Sequence, residues 1–215
     1  MKSLKIHNES VFKELCKPME EDMKKTAYIF MEFQKDFLSD AGKLNIAKEG
    51  CHFLKNAENI LQFARGKNQQ VIHIHLSFSF DYSELREDMD GVLALVKGAK
   101  AFQKGSNGVE AIDPFLPRAN EICIYKNSIS CFEGTDLEIR LREMEISDLV
   151  FTGLLSNVCI ESSVRDAYDK GFRVHVVQDA TSTIDERGHQ HAVEHVLPLF
   201  STVCMTDKVL QGNSL

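Results

Sequence analysis

Leu149-Val-Phe-Thr-Gly-Leu-Leu-Ser-Asn-Val-Cys-Ile-Glu-Ser-Ser163 is the stretch that decides the fold. A short apolar run ends at Gly153, and a cysteine follows six residues later, where a helix begins. Strand, tight turn and helix in that order expose a side chain at the carboxyl edge of a sheet. With Ser156 as the helix cap, Cys159 falls in the first turn, among backbone N–H groups without intrahelical partners. Their partial positive charge favours the thiolate, which is the nucleophilic form of cysteine.

Working outward, compact β-prone runs recur at Thr26 to Met31, Gln70 to Leu76, Glu121 to Lys126, Asp148 to Thr152, Phe172 to Val177 and Ser201 to Met205. Between them lie helical patterns. Phe53, Leu54, Ala57, Ile60, Leu61 and Ala64 keep helical spacing from Ile46 onward, with Gly66 at the expected stop. Thr135-Asp-Leu-Glu138 has capping-box form and opens a helix through Arg142. Ile160, Val164, Ala167 and Tyr168 share one face of the helix after Ser156, which stops at Gly171. A last helix covers Glu186 to Leu197.

Residues 77–118 carry a helical pattern near Tyr82 to Lys97, then Gly98, Gly105, Gly108, Pro114 and Pro117. This segment reads as a long excursion over the functional edge, where lids are commonly found. Strands that alternate with helices and are apolar on both faces specify an α/β fold: a three-layer, mainly parallel six-stranded sheet with helices on both faces. Residues 1–23 are charged and lack a strong period, so they read as an appendage to a single domain over 24–215.

The composition suits that fold. The 215 residues are 43% hydrophobic and 27% charged, ordinary for a globular chain. A net charge of −7 argues against nucleic acid or an anionic membrane as partner. No secretory h-region opens the sequence and no run reaches membrane-span length, which points to the cytoplasm. Cys16, Cys51, Cys123, Cys131, Cys159 and Cys204 form no Cys-x-x-Cys pair, so neither a zinc ribbon nor a disulfide scaffold is expected. Cys123 and Cys204 lie inside apolar runs, as small buried hydrophobes do.

In such folds ligands bind beyond the carboxyl ends of the strands. Three chemical residues lie at such ends: Glu32 after the first strand, Lys126 closing the third, and Cys159 after the fourth. A carboxylate, an ammonium and a thiol together make a nucleophilic site. Lys126 lowers the thiol pKa and balances the carboxylate, while Glu32 takes the thiol proton and returns it to a leaving amine.

Four blocks in order resemble the isochorismatase-like cysteine hydrolases, a superfamily that includes nicotinamidases, ureidoacrylate amidohydrolases and N-carbamoylsarcosine amidase. Ile29-Phe-Met-Glu-Phe-Gln-Lys-Asp-Phe-Leu38 is similar to the opening motif with its Asp-x-Gln-x-Asp-Phe core. Lys126-Asn-Ser-Ile-Ser-Cys-Phe-Glu-Gly-Thr-Asp-Leu137 resembles the lysine block, residues 151–167 the nucleophile block, and residues 171–180 the strand that follows. The resemblance spans roughly residues 26–205. It implies Cys159 as nucleophile, Lys126 as catalytic lysine, and a non-proline cis peptide at Leu154–Leu155. That peptide would aim the backbone N–H groups of Leu155 and Cys159 at the developing oxyanion. It also implies a homo-oligomer, dimer or tetramer.

One position departs from the pattern: Glu32 stands where the family has aspartate. Two readings follow. The first is a hydrolase that cleaves a C–N bond of a small amide, ureide or carbamoyl compound through a thioester, with no cofactor. The second is a binding or regulatory protein on the same fold, silenced by the longer carboxylate. Substrate-facing candidates are Asn157, Phe37, Phe78 and Phe132, while Gln34 and Asp36 either support the site or tether loops. Phe78, Phe80 and Tyr82 open the excursion, as pocket wall or as anchors. His73 and His75 project from one strand face without Asp-x-His spacing, which reads as packing or pocket lining rather than a metal. His189, His191 and His195 read as a solvated surface.

Overall fold

The computed structural model describes residues 25–46 and 52–211. The expected appendage, Cys16, Cys51 and the start of the helix expected from Ile46 lie outside the described residues. Strand β1 (Thr26–Met31) is buried along its whole length. Ala27, Ile29 and Met31 enter one core and Tyr28 and Phe30 the other, the signature of a strand covered on both faces. Around it run α1 (Lys35–Leu38), α2 (His52–Gly66), β2 (Gln70–Leu76), α3 (Val92–Ala99), β3 (Ile122–Lys126), α4 (Leu137–Glu143) and β4 (Asp148–Leu154). They are followed by α5 (Glu161–Asp169), β5 (Arg173–Ser182), α6 (Glu186–His191), β6 (Thr202–Cys204) and α7 (Thr206–Leu210).

The six strands pair in the order β3-β2-β1-β4-β5-β6, every pairing parallel. Phe53, Ala57, Ile60 and Leu61 of α2 pack on the Tyr28–Phe30 face. Leu137 and Leu141 of α4 and Val164 and Ala167 of α5 pack on the Ile29–Met31 face. This is the three-layer α/β architecture expected from the sequence, with the sheet wholly parallel.

The topology locates the site. After β1 the chain crosses to α2 on one face; after β4 it crosses to α5 on the other. The carboxyl ends of these adjacent strands therefore form a topological switch point, where a crevice opens in such sheets. Met31 and Gly153 are register partners there. Gly153 has φ +110°, and a Cβ on it would stand 2.1 Å from the Met31 carbonyl oxygen, so only glycine permits this approach.

Several local expectations give way to tertiary contacts. The left-handed residue after α2 is Asn68 (φ 52°), not Gly66. The helix expected over Tyr82–Lys97 shrinks to Val92–Ala99, because left-handed Tyr82 and Gly91 break it. Ser79 also takes hydrogen bonds into its own turn with Asp81 and Glu84. No capping box forms at α4. The Thr135 hydroxyl instead donates to the Cys131 carbonyl at 2.6 Å, and Glu138 pairs with Lys170. Cys123 and Cys204 are only half-buried, since β3 and β6 are the sheet's edges. Helix α7 was not anticipated.

The excursion between β2 and β3 is laced down onto the switch point. Phe78 N–H donates to Phe102 O, Lys35 N–H to Glu110 O and Ile112 N–H to Phe33 O, each within 2.9 Å. Gln34 is fully buried and knots three segments: its amide holds Leu76 O and Val109 O, and its carbonyl accepts Leu76 N–H. Asp36 accepts from Phe102 N and Lys43 N. Both residues therefore tether loops. Tyr82 anchors likewise, its hydroxyl donating to Ala101 O.

Beneath the excursion, Glu121 binds the Arg65 guanidinium through both oxygens (2.7 and 2.8 Å), with His73 Nε2 at 2.8 Å and Arg118 N–H at 2.9 Å. Burial alone would raise this carboxyl, but these donors overcome it and hold the pKa at about 2. A depressed carboxyl pKa stabilises the folded chain above the unfolded value and loses that contribution as pH falls through the folded one. Wild-type stability is therefore expected to drop by roughly 3 kcal/mol from this group between about pH 5 and pH 2. Denaturant unfolding across that range should show the drop in the wild type and a flatter profile in Glu121→Gln.

Candidate active site

Glu32, Lys126 and Cys159 come together at the switch point, each with 3% or less of its surface exposed. Glu32 follows β1 in a left-handed conformation (φ 61°), and its N–H is held by Ile74 O at 2.8 Å. Lys126 Nζ stands 2.6 Å from Glu32 Oε1. The contact is a buried ion pair at hydrogen-bonding distance. The other ammonium protons go to the carbonyls of Ser128 and Ile129, both at 2.8 Å. Burial pulls the Lys126 pKa down, but the Glu32 carboxylate and Cys159 outweigh it, and the net direction is up.

Cys159 differs from expectation in its surroundings. Its turn, Ser156–Ile160, is a π-helical turn closed by Ile160 N–H to Leu155 O at 3.0 Å. Ser156 lies inside this turn and makes no cap; its hydroxyl meets His189 Nδ1 at 3.0 Å. Burial first, and the Glu32 carboxylate second, push the Cys159 thiol well above its ordinary range, against the pull of Lys126. The thiolate inferred from the helix start alone is thus not the resting form. A desolvated sulfur beside a carboxylate keeps its proton. The arrangement stores that proton next to a base with unspent lone pairs. The Leu154–Leu155 peptide is cis.

Asn157 is exposed, and its Oδ1 accepts from Thr183 Oγ1 at 2.5 Å. Phe37 packs on Phe102 with centroids 4.7 Å apart, and Phe132 stacks on Phe172 at 6.1 Å in the opposite core. Phe78 is buried and lines a cavity of about 560 Å³ with Ser77, Ser79, Glu84, Lys104, Val109 and Tyr125. Glu32, Lys126 and Cys159 are not among its lining residues; Tyr125 neighbours Lys126 only along β3, and Ser77 N–H donates to Lys126 O at 2.9 Å. Phe80 is 84% exposed.

His73 and His75 are both buried, as residues on one face of β2. Burial and the neighbouring His73 lower His75 to about 4. Among the described residues no group of three or more His, Cys, Asp or Glu is arranged to hold a metal ion. His191 and His195 are exposed neighbours, their rings 5.5 Å apart. His189 is not a surface residue of that kind. It is half-buried against the turn that carries Cys159, and burial lowers its pKa. No spacing in the sequence links positions 156 and 189; only the packing of α6 on the turn does.

Comparison with known proteins extends the picture. The isochorismatase domain matches residues 26–208. The chain is 34% identical over 178 residues to an uncharacterized isochorismatase family protein, PncA, of Bacillus subtilis (strain 168), covering 80% of this chain and 93% of the relative. It is 27% identical to the ureidoacrylate amidohydrolase RutB of Caulobacter segnis, covering 76% of this chain and 75% of that one. A cysteine hydrolase structure from Pseudomonas syringae pv. phaseolicola 1448A superposes with a TM-score of 0.81 at 22% identity, over 90% of this chain and 94% of the other.

Proposed function

The chain belongs to the isochorismatase family, and from that premise we propose that it is a cysteine hydrolase of small amides, ureides or carbamoyl compounds. The observation that carries the proposal is the buried cluster of Glu32, Lys126 and Cys159 at the switch point, with its 2.6 Å ion pair. The likeness to an amidohydrolase supports the same bond class. The ion pair favours a working site over a silent binder, because the longer Glu32 side chain still meets the lysine.

Glu32 takes the proton from the Cys159 thiol as sulfur attacks the substrate carbonyl carbon. A C–S bond forms, and the carbonyl electrons move to oxygen. The N–H groups of Leu155 and Cys159 receive that oxyanion. Collapse breaks the C–N bond, and Glu32 hands its proton to the departing nitrogen, leaving a thioester. Water then gives a proton to Glu32 and adds to the thioester; collapse expels sulfur, which recovers the proton. Lys126 holds the carboxylate in place and balances its charge throughout. Desolvation strengthens each of these charge interactions. The proposal places the substrate's unreactive part against Asn157, Phe37, Phe78 and Phe132, requires no cofactor, and includes a cytoplasmic homo-oligomer.

The test is ammonia release from a panel of nicotinamide, ureidoacrylate, N-carbamoylsarcosine and simple aliphatic amides. Mass spectrometry of acid-quenched protein should show an acyl group on the peptide that contains Cys159. Turnover of none of them, with no acyl adduct on Cys159, would reject the proposal.

A further inference from the structure

Lys126 closes β3 and Cys159 lies in the turn after β4, yet a single hydroxyl joins the segments that hold them. The ammonium is seated by the carbonyls of Ser128 and Ile129, at the start of the loop between β3 and α4. Side-chain hydroxyls brace that loop from within. Ser128 Oγ donates to the carbonyls of Ser130 and Glu133, and Thr135 Oγ1 donates to the carbonyl of Cys131. The Cys131 N–H leaves the loop and donates to Ser163 Oγ at 3.0 Å. Ser163 Oγ in turn donates to the Cys159 carbonyl at 2.6 Å. Ser163, Cys131 and Cys159 are all buried, so water does not substitute for either bond.

We propose that Ser163 is a positioning residue whose hydroxyl ties the loop seating the Lys126 ammonium to the turn carrying Cys159, and so sets the approach of ammonium to sulfur. The inference rests on the reading of Cys159, Lys126 and Glu32 as the reacting set. A helical serine that bonds the carbonyl four residues back is common and needs no function. The second bond, to an amide 32 residues away, is what the helix does not explain. Without the hydroxyl, the Cys131 amide is buried without its partner, and the loop relaxes to find another. Lys126 moves with it, and the sulfur loses part of the cation's pull.

The experiment follows the iodoacetamide alkylation rate of Cys159 by peptide mass spectrometry at fixed pH values from about 7 to about 10, all below the raised midpoint of the thiol. Ser163→Ala is expected to react about tenfold more slowly at each of these pH values, the effect of a thiol pKa about one unit higher. Ser163→Thr keeps a hydroxyl able to reach the same carbonyl and is expected to retain the wild-type rate at each pH. Thr135→Val cuts the other anchor of Cys131, so it is expected to lower the Tm without changing the alkylation rate.

An unchanged alkylation rate in Ser163→Ala overturns the proposal. So does a Thr variant that slows as far as the Ala variant, or an Ala variant that does not fold, which would assign the hydroxyl to stability. Failure of the reacting set itself reads differently. In that case the amide panel leaves no acyl group on wild-type Cys159, whatever the Ser163 variants do.

Discussion

A Cys159→Ala chain is expected to release ammonia from the best substrate of the amide panel at least about ten-thousand-fold more slowly than wild type. The size follows from the chemistry assigned to the sulfur. Without it no thioester forms, and the two easier steps revert to direct attack by water on an amide. What survives is the contribution of the backbone donors and of substrate binding. Fold should persist, because alanine fits a helical turn and leaves a small void among Cys131, Phe132 and Ile160. Cys123→Ala, on the edge strand, serves as the comparison and should stay within about threefold of wild type. A Cys159→Ala chain that keeps a tenth of wild-type turnover would rule out covalent catalysis at this position.

Glu32 carries the second large effect, in two measurements that move in opposite directions. Glu32→Gln removes the proton shuttle, and turnover should fall by about a thousandfold. It also removes the carboxylate that pushes the Cys159 thiol upward. The Lys126 ammonium, left without its 2.6 Å partner, then has the sulfur as its neighbouring anion. Alkylation of Cys159 by iodoacetamide at neutral pH should therefore rise while hydrolysis falls. The same variant is expected to lose roughly 3–5 kcal/mol of stability, the cost of breaking one side of a buried pair.

Glu32→Asp separates charge from reach. It retains the negative charge, and aspartate tolerates the left-handed backbone at this position well. The shorter side chain withdraws the carboxylate by about one methylene, and about a hundredfold loss is expected. If Glu32→Gln hydrolyses amides at the wild-type rate, Glu32 is not the proton carrier.

The strand runs were legible because a parallel sheet buried on both faces requires continuous apolar stretches. Thr26–Met31 and Gln70–Leu76 end where their patterns end. Glu32, Lys126 and Cys159 were legible as candidates for a related reason: in a parallel α/β sheet ligands bind beyond the carboxyl ends of the strands. Helix boundaries were less so. Gly66 and Thr135 carry standard stop and start signals, but Asn68 and the Cys131 carbonyl compete for the same roles at neighbouring positions. The excursion was the least legible, since Gln34 and Asp36 hold it through contacts more than forty residues away in the chain.

By itself, the order of apolar runs, glycines and strand-end residues determined a mainly parallel α/β sheet with Glu32, Lys126 and Cys159 at strand ends. Those features depend on spacing along the chain, which the sequence displays directly. Only the tertiary structure decided the strand order that brings the three together and the direction in which the thiol's pKa moves. The thiol's proton depends on how much water is excluded and on which charge stands nearer, and both arise from segments that fold over the site. His189 against Ser156, and Ser163 between Cys131 and Cys159, belong to the same class, because contacts between distant segments leave no periodic trace in the sequence.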